Sequence, residues 1–188
     1  MKTKKCRNPA CRKLFTPVRP MQTVCGFECS HALIVANHEK AKRRAERDQR
    51  RETREKLEKL KTRSDYLKDA QKAFNAFIRA RDKDLPCISC GTTEGAGQLK
   101  GGYWDCGHYR STGSAPHMRF AENNAHKQCK RCNRQLGGNM VNYRKGLVAK
   151  IGLEAVEAIE ADQTIRKWSK DDLKAICATY RAKLREVK

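Results

Sequence analysis

Cys87-Ile-Ser-Cys90 and Cys129-Lys-Arg-Cys132 are two Cys-x-x-Cys knuckles separated by 38 residues. Each knuckle turns tightly enough to offer both thiolates to one ion, and joining the two ties together the ends of the loop between them. The stretch Tyr103–Asn133, which runs from that loop through the second knuckle, holds Asp105, three of the five histidines (His108, His117, His126) and several amides. This is more ligand and proton-acceptor chemistry than a structural loop needs, and it is where the sequence places an active site. A second quartet, Cys6, Cys11, Cys25 and Cys29, is spaced x4 and x3 with thirteen residues between the pairs, and can close a tetrahedral zinc site. His31 follows closely but is expected on the next helix, because four thiolates already complete the shell. Of the ten cysteines only Cys106 and Cys177 fall outside these pairs.

The elements that must position these groups sit in a strongly basic chain. Against 21 acidic residues stand 42 Lys and Arg, a formal charge of +21, which attracts a polyanion through counterion release. Nucleic acid is the leading partner. No run approaches the roughly 18 apolar residues that a membrane span needs, and the start, MKTKKCRNPACRKLF, lacks the apolar core of a signal peptide, so a cytoplasmic, membrane-free protein is expected. At 188 residues the chain suits one domain of ordinary size with appendages.

Residues 1–35 read as an N-terminal zinc module. Leu14, Phe15, Val18 and Val24 are too few to fold it by burial, so metal binding must stabilise it. Residues 36–82 read as a basic helical region. Its first part, 36–63, lacks Pro and Gly, carries supporting pairs such as Glu52/Lys56, and is nearly devoid of apolar residues before Leu57, which fits a spacer or a helix tracking phosphates. Tyr66, Leu67, Ala70, Phe74, Phe77 and Ile78 then mark an amphipathic helix over 65–81 that packs on the core formed by 83–148. In the C-terminal helical region, 149–188, the spacing that begins at Leu147 continues around Gly152. Ser169 and Asp172 form a capping box there, opening a helix lined by Leu173, Ile176, Cys177, Tyr180 and Leu184.

The order DCGH, RFAENNAHKQC, KRCNRQLGGNMVNYRKGL resembles the NinG (Rap) recombination proteins of lambdoid phages along the whole chain. More broadly, residues 87–148 resemble the His-Asn-His and endonuclease VII nucleases. The resemblance implies an α+β fold with a zinc-bound ββα-metal core. It also implies a metal-dependent endonuclease that acts on branched DNA such as Holliday junctions, a symmetric dimer, and phage or host recombination proteins as further partners. Structural Zn²⁺, two ions, and a catalytic Mg²⁺ or Mn²⁺ would be the cofactors. On this pattern His108 is the general base, Asp105 and Asn133 hold the catalytic metal, and Asn124, with Asn123 as its competitor, braces the loop or orients His108. Arg110, His126, Asn142, Arg144 and Lys145 contact DNA, with Asn139 and Tyr143 projecting from the same helix.

One departure matters. In the commonest form of the motif the acid directly precedes the histidine. Here Cys106 and Gly107 intervene, so a regular strand points Asp105 and His108 to opposite faces, and a bulge at Gly107 is the expected remedy. Two rival readings remain: a non-catalytic zinc-binding DNA-binding or accessory protein, and a protein-docking adaptor.

Overall fold

The structure, a computed structural model, describes residues 2–93 and 102–187. The chain divides into two compact units, Met1–Leu60 and Lys61–Lys188.

In the first unit, β1 (Lys4–Lys5) pairs antiparallel with β2 (Leu14–Phe15), and α1 runs from Phe27 to Leu60. Leu14 and Val18 are exposed while Cys6 is buried, so the cysteines occupy the place where a hydrophobic core would otherwise be. The helix expected over 36–63 begins earlier, and Cys29 and His31 lie on its first turns. None of its residues is buried, and Glu52 and Lys56 pair at 2.8 Å.

The second unit begins at a capping box. Thr62 Oγ1 accepts from Asp65 N–H at 3.3 Å, and the Asp65 carboxylate accepts from Thr62 N–H at 2.9 Å, which starts α2 (Arg63–Arg81) afresh. The apolar stripe of α2 meets α5 (Lys170–Glu186) in one core that includes Phe74, Phe77, Ile78, Leu173, Cys177 and Tyr180. Against this helix pair lies a hairpin, β3 (Trp104–His108) with β4 (Ala125–Cys129), which adds Cys106 and Ala125 to the core.

After β4 the chain makes a wide helical turn at Arg131–Gln135 and continues into α3 (Met140–Ile151) and α4 (Leu153–Ala161). Gly152, at φ 88°, separates the last two, which explains why helical spacing appeared to run through it. Tyr109, Met118, Tyr143, Leu147, Val156 and Ile159 form a second core between these helices and the loop after β3. The expected Ser169–Asp172 capping box opens α5, with Asp172 N–H donating to Ser169 Oγ at 3.1 Å and Ser169 N–H donating to the Asp172 carboxylate at 2.9 Å. Among the described residues, no helix is long and apolar enough to cross a membrane.

Candidate active site and zinc centres

Two four-cysteine clusters stand out: Cys6, Cys11, Cys25, Cys29 and Cys87, Cys90, Cys129, Cys132. Within each, the sulfurs lie within 4.8 Å of one another. Four Zn–S bonds of about 2.3 Å arranged tetrahedrally put sulfurs roughly 3.8 Å apart. The observed separations, 3.6 Å for Cys11–Cys25, 3.6 Å for Cys25–Cys29 and 3.8 Å for Cys90–Cys129, fit that figure and are far too long for disulfides. Donors also point at the sulfurs, as they do around thiolates. Asn8 Nδ2 lies 3.3 Å from Cys29, Cys129 N–H 3.3 Å from Cys87, and Asn139 Nδ2 3.4 Å from Cys132. The donor chemistry of both clusters therefore suits zinc. The second cluster fastens the knuckle at 87–90 to the end of β4 and the turn that follows it.

The hairpin pairs residue for residue: Asp105 with Gln128, Cys106 with Lys127, Gly107 with His126, His108 with Ala125. The bulge expected at Gly107 is therefore absent, and Asp105 and His108 occupy opposite faces of β3. Gly107 serves a different need. A Cβ there would lie 2.1 Å from Gln128 Oε1, and the Gln128 amide spans the hairpin to donate to Ser89 Oγ at 2.7 Å and Gly138 O at 2.6 Å.

On its own face, Asp105 meets Asn133, whose Nδ2 is 3.0 Å from its carboxylate. Arg134 grips the same carboxylate with two bonds, at 2.7 and 3.0 Å. These partners outweigh partial burial and hold the Asp105 carboxyl below its usual range.

His108 is partly buried, its ring centroid 5.8 Å from that of Phe74. Its Nε2 sits 3.0 Å from the Arg119 carbonyl oxygen. A carbonyl only accepts, so Nε2 carries the hydrogen and, in the neutral ring, Nδ1 keeps its lone pair. Burial lowers the His108 pKa from its usual 6.5, which keeps the ring neutral near pH 7.

Asn124 is fully buried and clips the loop after β3 in place. Its Oδ1 accepts from Arg110 N–H at 2.8 Å, while Nδ2 donates to Arg110 O at 3.0 Å and Met118 O at 3.3 Å. Of the two roles expected of Asn124, its contacts are those of a loop brace. Because Met118 directly precedes Arg119, the brace also steadies the carbonyl that fixes His108. A cleft of about 620 Å³ has His108, Arg110, Ser111, Thr112 and Asn133 among its lining residues.

The residues expected to touch DNA differ in exposure and in their partners. Asn142 and Lys145 are exposed on α3, and Arg144 is half-exposed but paired with Glu160 at 2.7 and 3.1 Å, a carboxylate that Tyr109 also reaches. Arg110 turns away to the carbonyls of Ile159 and Asp162 at the end of α4. His126 is buried, with Nδ1 3.4 Å from Tyr143 Oη, and burial pushes its pKa down to about 3. Contact with a phosphate would require His126 to leave the interface between hairpin and α3. Tyr143, also expected on an exposed face, is fully buried and donates to Gly107 O at 3.0 Å. His117 lies 3.6 Å from the Asp162 carboxylate, and Cys106 is a core thiol that burial pushes up to about 12.

Sequence reasoning missed Arg119, whose backbone carbonyl carries no signature of residue type, and Asp82. The latter is 2% exposed and binds Arg81, Lys127 N–H and Lys150 across three elements, contacts that no local spacing reveals.

Fold and cysteine geometry define a mixed α+β protein, mostly helical, with two clusters suited to structural zinc. A family model described as "Bacteriophage Lambda NinG protein" matches residues 1–188. Protein ninG of Salmonella phage P22 is 43% identical over 196 residues, covering 98% of this chain and 94% of that protein. Protein ninG of Escherichia phage lambda is also 43% identical over 196 residues, covering 98% and 93% respectively. The chain belongs to the NinG family. No solved structure matches it.

Proposed function

We propose that this protein is a metal-dependent DNA endonuclease of the His-Asn-His type, acting in phage recombination on branched DNA such as four-way junctions. The hairpin, the turn after it and α3 serve in this reading as the zinc-braced ββα core. The observation that carries the reading is His108: a neutral imidazole, its tautomer set by the Arg119 carbonyl, lining the same cleft as Asn133.

In this account His108 Nδ1 takes the proton from a water molecule that attacks phosphorus, a role worth typically 10²–10⁴-fold. Asn124 holds the loop that carries the Arg119 carbonyl, so the imidazole keeps its orientation. Asn133, which lines the His108 cleft, and Asp105, in contact with Asn133 but on the opposite face of β3 from His108, offer oxygen donors suited to Mg²⁺ or Mn²⁺, provided that Asn133 presents its amide oxygen and the exposed Arg134 swings aside. The ion, when bound, would stabilise charge on the phosphoryl and leaving oxygens. Asn142 and Lys145 offer DNA contacts from α3. Arg110, Arg144 and His126 are reassigned to holding the scaffold.

A non-catalytic zinc-binding accessory protein is the second reading. It is favoured by the bidentate hold of Arg134 on Asp105, which resembles a finished structural ion pair. Incubating the zinc-loaded protein with a labelled four-way junction and the matching linear duplex, with Mg²⁺, Mn²⁺ or chelator, separates the two. Metal-dependent cutting of the junction supports the nuclease, and cutting confined to the junction supports branch selectivity. Binding without cleavage under either ion would establish the accessory role.

A further inference from the structure

We propose that α1 is a phosphate-tracking element: one face of this helix binds the backbone of duplex nucleic acid. The proposal rests on the nucleic-acid reading above but not on catalysis.

The 34 residues of α1 include none that is buried, so packing does not explain its length. Its charges, however, are sorted. At 3.6 residues per turn, Lys40, Arg43, Arg44, Arg47, Arg51 and Arg54 fall within about a third of the circumference. The acids of this stretch, Glu46, Asp48 and Glu52, fall outside that sector. All six cations are exposed. Lys40, Arg43, Arg44, Arg47 and Arg51 also line one shallow groove on the helix surface, where they outnumber the acids Glu39 and Asp48. Arg44 and Arg51 make only loose solvent contacts with flanking acids, at 3.8 to 3.9 Å, while Lys40, Arg43, Arg47 and Arg54 form no ion pair among the described residues.

From Lys40 to Arg54 the stripe is about 21 Å long at 1.5 Å per residue. Each DNA strand presents a phosphate about every 3.4 Å along the axis while winding around it, so a straight stripe of this length can meet a few successive phosphates of one strand. A row of guanidinium forks matches phosphate oxygens geometrically as well as in charge. Nothing in the stripe reads bases, so the binding is indifferent to sequence.

The test compares two full-length, zinc-loaded variants of equal charge change, R43Q/R47Q/R54Q on the stripe and K42Q/K56Q/K59Q off it. Helix content is checked by circular dichroism, and binding to a labelled duplex is measured by fluorescence anisotropy from 50 to 200 mM salt. The stripe variant should bind about tenfold or more weakly and lose roughly 2–3 units from the slope of log K against log salt, with the other variant changing far less. Equal losses in both variants, or none in the stripe variant with the helix intact, would overturn the proposal. If the native protein binds duplex without cutting any DNA, the nuclease reading fails and this one stands. If it binds no DNA, both fall.

Discussion

His108 and Asp82 are two polar side chains of the second unit whose surroundings set different expectations for them. Because burial depresses the His108 pKa, the proposed base stays deprotonated into mildly acidic solution. The acid limb of a cleavage pH–rate profile should therefore have its midpoint below 6.5, with a plateau through pH 7. A midpoint above 6.5 would point to a different base. Asp82 is a stability residue. Its carboxylate is held down to about 2 by the Arg81 guanidinium, Lys127 N–H and Lys150, against the cost of burial. Since the folded value lies below the unfolded one, its contribution is fully present above about pH 4 and is lost as pH falls toward 2. Asp82→Ala leaves two cations facing an empty partner and should cost about 3–5 kcal/mol, read from the urea midpoint of the zinc-loaded protein at neutral pH. An unchanged midpoint would show the network to be dispensable.

At the scale of elements, the Cys87–Cys132 cluster and one close helix contact position the β3–β4 hairpin. Gly146 on α3 lies so near the 87–90 knuckle that a Cβ would come within 2.0 Å of the Ile88 carbonyl oxygen, a backbone atom that cannot rotate away. Gly146→Ala should destabilise the second unit by about 1–3 kcal/mol through overpacking. Gly107→Ala meets a side chain rather than backbone, Gln128 Oε1 at 2.1 Å and its Cβ and Cδ at 3.0 Å, and should be the milder change, provided that Gln128 finds new partners. Thermal denaturation of both variants ranks them, and the reverse order would contradict the packing argument. Cys87→Ser should release one zinc per chain and loosen the hairpin, whereas Cys11→Ser should release the other and leave the second unit folded. Metal content and near-ultraviolet dichroism report these losses.

Much at this scale was legible. Close cysteine pairs identify their own purpose, and the stripe from Tyr66 to Ile78 and the Ser169 cap are local patterns. The site itself was less so. Gly107 was expected to make a bulge, but its smallness accommodates Gln128, a cross-strand neighbour that local sequence cannot reveal. The Arg119 contact was hidden because any residue supplies a carbonyl. Arg110 and Arg144 were expected at DNA from the resemblance, and their partners within the fold, the end of α4 and Glu160, lie far along the chain.

Across the whole molecule, three features underlie the proposed function: a four-cysteine cluster in each unit, a basic exposed helix in the first, and the partly buried His108 imidazole in the second. In the first unit the cysteine cluster stands where hydrophobic mass is lacking, whereas the second unit has two apolar cores besides its cluster. The surplus of cations that disfavours a large core is also what attracts a polyanion. The most direct test is the rate of Mg²⁺- or Mn²⁺-dependent cleavage of a four-way junction by the native protein and by His108→Ala, matched for zinc content, fold and DNA affinity. The account predicts measurable cutting by the native protein and a loss of about 10²–10⁴-fold in the variant. Equal rates in the two proteins would contradict it.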